Sequence, residues 1–91
     1  MSRLDEPGIA AALQQTPGWE RVGAEIRRSY RFADFRQALA FVNRVGELAE
    51  RAGHHPDIDI RYNTVTLALT THDAGGLSPK DFDLARAIDH A

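Results

Sequence analysis

The sequence predicts an α+β fold, a four-stranded antiparallel sheet with helices packed on one face, in the order α-β-β-α-β-β-α. Three observations carry the prediction. The longest periodic segment, residues 34–52, has apolar side chains at three- and four-residue spacing, the mark of a helix with one buried face. On each side of it lies a pair of short segments whose apolar residues recur every second position, as half-buried strands do. Both outer parts of the chain carry helix-start signals, an acidic residue before Pro7 and Ser78 before Pro79.

The elements follow in order. Asp5 or Glu6 opens a short amphipathic helix with Ile9, Ala10 and Leu13, and Thr16-Pro17-Gly18 ends it in a turn. Trp19 to Val22 reads as a short strand and Gly23 as a turn. In the next strand, Glu25 to Phe32, Ile26, Tyr30 and Phe32 share a face. Arg28 falls on that face too and interrupts the pattern. Asp34 suits the N-cap of the long helix. Its stripe consists of Phe35, Ala38, Leu39, Val42, Val45, Ala49 and Ala52, widened by Phe41 and Leu48, and Gly53 is its stop. After His54-His55-Pro56, Ile58, Ile60 and Tyr62 alternate with Asp57, Asp59 and Arg61. Asn63-Thr64 is the expected tight turn, and Val65, Leu67 and Leu69 continue the alternation towards His72, which makes a β-hairpin. Asp73-Ala74-Gly75-Gly76 is a loop. Ser78 then caps the last helix, with Asp81 three residues on and Phe82, Leu84 or Ala85, and Ile88 on the buried face.

Size and composition narrow the classes of function. A chain of 91 residues forms one domain, residues 1–91, with an apolar share of 43%, ample for a core. A domain this small buries a modest fraction of its surface, so association with further copies is expected to add burial. The net charge of -2 gives no footprint for nucleic acid or for an anionic membrane. No apolar run is long enough to span a membrane, and Met1 to Glu6 lacks the apolar stretch of a signal peptide. The absence of cysteine fits a reducing compartment. The expected setting is cytoplasmic.

The chemistry-bearing residues are histidines. His54 and His55 precede the first strand of the second hairpin, and His72 follows its second strand. Antiparallel pairing returns the end of one strand to the start of the other, so these three side chains converge. Imidazole titrates near neutrality, with an unperturbed pKa of about 6.5, and two or three around a pocket can act as acid and base. His90, near the last residue, reads as a solvated surface group. Adjacent residues of an extended chain point to opposite sides, so His54 and His55 reach one pocket only where the chain bends, and Gly53 permits a bend.

The segment Glu50-Arg51-Ala52-Gly53-His54-His55-Pro56 resembles the signature of the pterin-4a-carbinolamine dehydratases. The likeness continues through Tyr62, His72 and Asp81, and includes Gly18-Trp19 and Phe32-Ala33-Asp34-Phe35. It covers roughly residues 17–90. Gly53 departs from the acidic residue that precedes the histidine pair in the best-known members. The resemblance implies dehydration of a 4a-hydroxytetrahydropterin to the quinonoid dihydropterin, in recycling of the tetrahydropterin cofactor of aromatic amino-acid hydroxylases. It implies no metal and no organic cofactor. It places His54, His55 and His72 around the pterin as catalytic groups. Glu50, Asp81 and Trp19 are the expected substrate-binding residues. Each has a plainer reading: Asp81 as a helix cap, Glu50 as a solvated helix residue, Trp19 as packing against the sheet. Tyr62 lies at the far end of the hairpin and reads as structural.

Two other readings compete. The resemblance also covers non-catalytic protein-binding or assembly modules on the same fold. Three histidines could instead bind zinc, but no cysteine or close carboxylate completes a familiar ligand spacing. The expected partners are a pterin substrate and further copies of the chain, as a homodimer or higher homo-oligomer.

Overall fold

Capping residues set the helix boundaries. In the computed structural model, which describes residues 2–91, the Asp5 carboxylate accepts the Gly8 N–H at 2.9 Å and starts helix α1, Glu6–Gln14. Asp34 does the same for helix α2, Phe35–Ala52, accepting from Gln37 N–H at 2.9 Å. Helix α3, Pro79–Asp89, begins after Ser78. Strands β1 (Glu20–Val22) and β2 (Glu25–Arg31) lie between α1 and α2. Strands β3 (Asp57–Arg61) and β4 (Thr64–Leu69) follow α2, and a short 3-10 turn, His72–Ala74, separates β4 from α3. No helix among the described residues is long and apolar enough to cross a membrane.

All three strand pairs are antiparallel, and the sheet order is β1-β2-β4-β3. Register sorts the side chains. Ile26, Arg28 and Tyr30 stand opposite Leu69, Leu67 and Val65, and Ile58 and Ile60 flank Leu67 and Val65 from the other side. That face meets the helices. Ile26, Val65, Leu67 and Leu69 are fully buried there against Val45 of α2 and Phe82 and Ala85 of α3. Removal of this apolar surface from water is the main force holding helices to sheet. The opposite face carries Arg27, Ser29, Arg31, Asp57, Asp59 and Arg61, with the Ser29 and Thr66 hydroxyls 2.8 Å apart across the strands.

Three details differ from the sequence expectation. The hairpin turn is Tyr62-Asn63, one residue earlier than expected, because Thr64 already pairs with Arg31 and Arg61 in the two ladders of β4. Asn63 fixes the turn by accepting the Phe32 N–H on its carbonyl at 2.8 Å and donating its side-chain amide to the Phe32 carbonyl at 3.0 Å. Tyr62 therefore leaves the strand, with φ 51° and a side chain in solvent. On α2 the buried seam is Ala38, Phe41, Val45 and Ala49, while Phe35 and Leu39 are 45% and 39% exposed. The apolar stripe is wider than the surface the sheet and α3 can cover.

The third detail explains Arg28. Its Nη1 lies 3.2 Å from Asp89 Oδ2, on the last turn of α3, and 3.0 Å from the Pro17 carbonyl. The same carboxylate accepts the Trp19 indole N–H at 2.8 Å and the Tyr30 hydroxyl at 2.6 Å. Gly18, at φ 93°, leaves room for this group, since a Cβ there would sit 2.6 Å from Arg28 Nη1. Burial, then the hydrogen bond to Asp89 and its charge, push the Tyr30 phenol far above its ordinary range. A folded pKa above the unfolded one means that this contribution to stability is complete below a pH of about 10 and declines as pH rises beyond it. In a Tyr62→Phe background, tyrosinate absorbance should therefore rise only together with loss of the circular dichroism signal. Ionisation of Tyr30 in the intact fold, at the pH of a free phenol, would contradict this account.

Candidate active site

The end of α2 delivers the first histidine. Gly53 adopts the left-handed conformation at φ 62°, and two bonds close the helix: Gly53 N–H to the Glu50 carbonyl at 3.2 Å and His54 N–H to the Ala49 carbonyl at 3.1 Å. This is a Schellman motif, and it bends the chain directly before His54. The bend turns the His54 side chain inward, where it is 11% exposed.

Asp81 receives it. The Asp81 side chain is fully buried, and its Oδ1 lies 2.6 Å from His54 Nε2. Its Oδ2 accepts the Ser78 backbone N–H at 2.9 Å and the Thr71 hydroxyl at 2.8 Å. Thus one oxygen caps α3 and the other holds a histidine. A carboxylate can only accept. In its neutral form the His54 ring therefore carries its proton on Nε2, which leaves the Nδ1 lone pair free. Nδ1 has no protein partner among the described residues, and no buried side-chain nitrogen or oxygen there is left unpaired, so Nδ1 reaches solvent.

His55 faces the other way electrostatically. Its Nε2 pairs with the Glu50 carboxylate one helical turn back, and both side chains are mostly in solvent. His72 lies in the 3-10 turn after β4 and is exposed. All three histidines nevertheless line one cavity of about 260 Å³, together with Thr71, Asp73 and Lys80. The convergence expected from hairpin pairing is present. Among the described residues, no group of three or more His, Cys, Asp or Glu side chains is arranged to hold a metal ion.

A family model described as pterin 4 alpha carbinolamine dehydratase matches residues 2–91. The chain belongs to the pterin-4a-carbinolamine dehydratase family. A relative from Chloroflexus aurantiacus, described as a "putative pterin-4-alpha-carbinolamine dehydratase", is 63% identical over 89 residues, 98% of this chain and 96% of the relative. One from Thermomicrobium roseum with the same description is 60% identical over 88 residues, 97% and 95% of the two chains. A crystal structure of a transcriptional coactivator/pterin dehydratase from Brucella melitensis superposes with a TM-score of 0.93 at 34% identity, covering 98% of this chain and 97% of that one. A pterin dehydratase-like protein described as a RuBisCO assembly factor in the alpha-carboxysome shares the fold, with a TM-score of 0.64 at 20% identity over 79% and 83% of the two chains. By homology the chain is a pterin dehydratase, a hydro-lyase that serves tetrahydrobiopterin recycling and takes a pterin as substrate.

Within this dehydratase fold, the expected site residues separate. Glu50 and Asp81 stand behind His55 and His54 rather than lining the cavity. Trp19 does not join the site. It is 5% exposed and bonded to Asp89, eight residues along α3 from Asp81, or about 12 Å at 1.5 Å per residue. Thr71, Ser78 and Lys80 were not among the expected residues. The alternation Val65, Leu67, Leu69 extends to Thr71, which puts a hydroxyl on the buried face, and a polar residue there is a signal the sequence carries. Lys80 gives no such signal.

The two histidine–carboxylate pairs should differ sharply in their weight. Asp81→Ala strands the Thr71 hydroxyl and Ser78 N–H in the interior and should destabilise the fold by about 3 kcal/mol or more. Glu50→Ala breaks a solvent-exposed pair and should change stability by less than about 1 kcal/mol. Urea unfolding of the two variants measures the contrast, and equal losses would contradict it.

Proposed function

We propose that His54, His55 and His72 form the acid–base set that dehydrates 4a-hydroxytetrahydropterin to the quinonoid dihydropterin. The observation that carries this reading is the placing of three imidazoles on one cavity, one of them backed by a buried carboxylate. The reaction breaks the C4a–O bond. The hydroxyl leaves as water once it receives a proton, and the N5–H proton departs as the C4a–N5 double bond forms. One of His54 and His55 delivers the proton to the hydroxyl, and His72 holds the ring or takes the N5 proton. Positioned groups of this kind contribute about 10²–10⁴-fold each. Glu50 and Asp81 act on the pterin through the histidines they hold. The whole span 1–91 works as one domain in the cytoplasm, with no metal or organic cofactor.

Because His54→Ala would leave Asp81 short of a donor, His54→Gln is the better variant, as its amide can still donate. His54→Gln, His55→Ala and His72→Ala should each lower turnover, by about 10²-fold where the group transfers a proton. The His54→Gln/His72→Ala pair should lose less than the product of the single losses, since both act on one transition state. Stopped-flow dehydration of a synthetic 4a-hydroxytetrahydropterin reads these effects, with His90→Ala as the control and circular dichroism to verify folding. Folded histidine variants as active as the control would overturn the site assignment and favour a protein-binding or assembly role on the same fold.

A homodimer or higher homo-oligomer is the proposed assembly. Phe35 and Leu39 on α2 and Ile58 on β3, the last at 39%, remain exposed, and β3 is an open sheet edge. Sedimentation at micromolar concentration should show a species larger than the 10.1 kDa chain. A purely monomeric boundary would count against assembly.

A further inference from the structure

We propose that Thr71 is a positioning residue that ties His54 and His72 to a common frame. The inference rests on the reading of His54 and His72 as acid–base groups.

The Thr71 side chain is in the interior, at 6% exposure for the residue, and its Oγ1 has two close neighbours: Asp81 Oδ2 at 2.8 Å and Ser78 Oγ at 2.7 Å. A hydroxyl has one proton to donate. The carboxylate oxygen can only accept, so the Thr71 proton goes to Asp81. Ser78 must then donate to Thr71. The relay runs in one direction, from Ser78 Oγ to Thr71 Oγ1 to Asp81 Oδ2. It fixes the plane of the carboxylate and aims Oδ1 at His54 Nε2, 2.6 Å away. Rotation of the carboxylate would break two buried bonds, with Thr71 and with the Ser78 N–H.

The backbone of Thr71 does the second task. Its N–H donates to the Gly76 carbonyl at 3.2 Å, and its carbonyl accepts from Ala74 N–H at 3.1 Å and Gly76 N–H at 3.3 Å. These bonds close the turn that begins with His72. A single residue thus anchors the His72 turn through its main chain and the His54 tautomer through its side chain. His54 Nδ1 presents a lone pair to solvent only while Nε2 is held as the donor to Asp81.

Thr71→Val keeps the branched shape and removes the hydroxyl. Thr71→Ser restores the donor. The tautomer of His54 is read directly from the nitrogen chemical shifts of the ¹⁵N-labelled imidazole, without reference to activity. Wild type should show Nε2–H alone. Thr71→Val should show a mixture of tautomers and turnover lowered about tenfold, with KM changed less than kcat. Thr71→Ser should return both readings towards wild type. A folded Thr71→Val protein with an unchanged tautomer overturns the proposal. So does a lost tautomer that Thr71→Ser fails to restore. If wild type shows no dehydration of the synthetic pterin, the functional reading fails, and the nitrogen shifts still decide whether Thr71 positions His54. Should Thr71→Val not fold, Ser78→Ala removes the donor behind Thr71 and keeps the backbone N–H. It should shift the tautomer balance in the same direction, and no shift there overturns the relay.

Discussion

Much of this structure depends on one buried carboxylate. Asp81 has no exposed side-chain surface, and an isolated charge in that position would be strongly unfavourable. It persists because three donors from three different places reach it: the Ser78 backbone at the start of α3, the Thr71 hydroxyl after β4, and the His54 ring after α2. The N-terminal end of α3 adds a favourable dipole. The constraint runs in both directions. Asp81 is tolerable only if all three elements are in place, and each of the three is positioned by what it donates.

Helix α3 has a buried or half-buried carboxylate at each end, and the two ends are electrostatically unlike. At the first turn, Asp81 lies where the helix dipole favours a negative charge. At the last turn, Asp89 lies where the dipole opposes one, and a cation is supplied: Arg28 from β2 sits 3.2 Å away, with its guanidinium 4.8 Å from the centre of the Tyr30 ring. A positive residue on an otherwise apolar strand face has its physical reason there. Trp19 and Tyr30 complete that end as donors to Asp89. The helix therefore divides the polar interior into a structural end, closed by aromatic side chains, and an end open to the histidine cavity.

This division bears on what could be read from the sequence. The element order, the caps at Asp34 and Ser78 and the closeness of His54, His55 and His72 follow from local patterns and from hairpin geometry, and all were legible. Asp81 was legible as a cap and as a signature residue, but not as both at once, because the double use depends on where α2 ends relative to α3. For Trp19 the sequence offered both a place at the pterin and packing against the sheet; the burial agrees with packing, and the partner of its indole, 70 residues away, is invisible in one dimension. The exposed positions of Phe35 and Leu39 were hidden as well. Periodicity marks a helical face as apolar without saying how much of that face the rest of the chain can cover.

The histidine pair shows what the bend at Gly53 accomplishes. Two adjacent imidazoles with the same intrinsic chemistry end up in unlike settings. His54 is shielded and locked by a fully buried carboxylate. His55 is 64% exposed and pairs with Glu50, a side chain itself 77% exposed, so water competes for both partners. A dehydration that must give one proton and take another gains from groups that differ in this way. In the proposed reaction a ring held by a buried carboxylate keeps one orientation, whereas a ring in contact with solvent can exchange protons with bulk water between turnovers. Under the proposed reaction, the Schellman bend converts a repeated residue into two distinct tools. His72, anchored through the Thr71 turn, is then the third point that orients the ring between them.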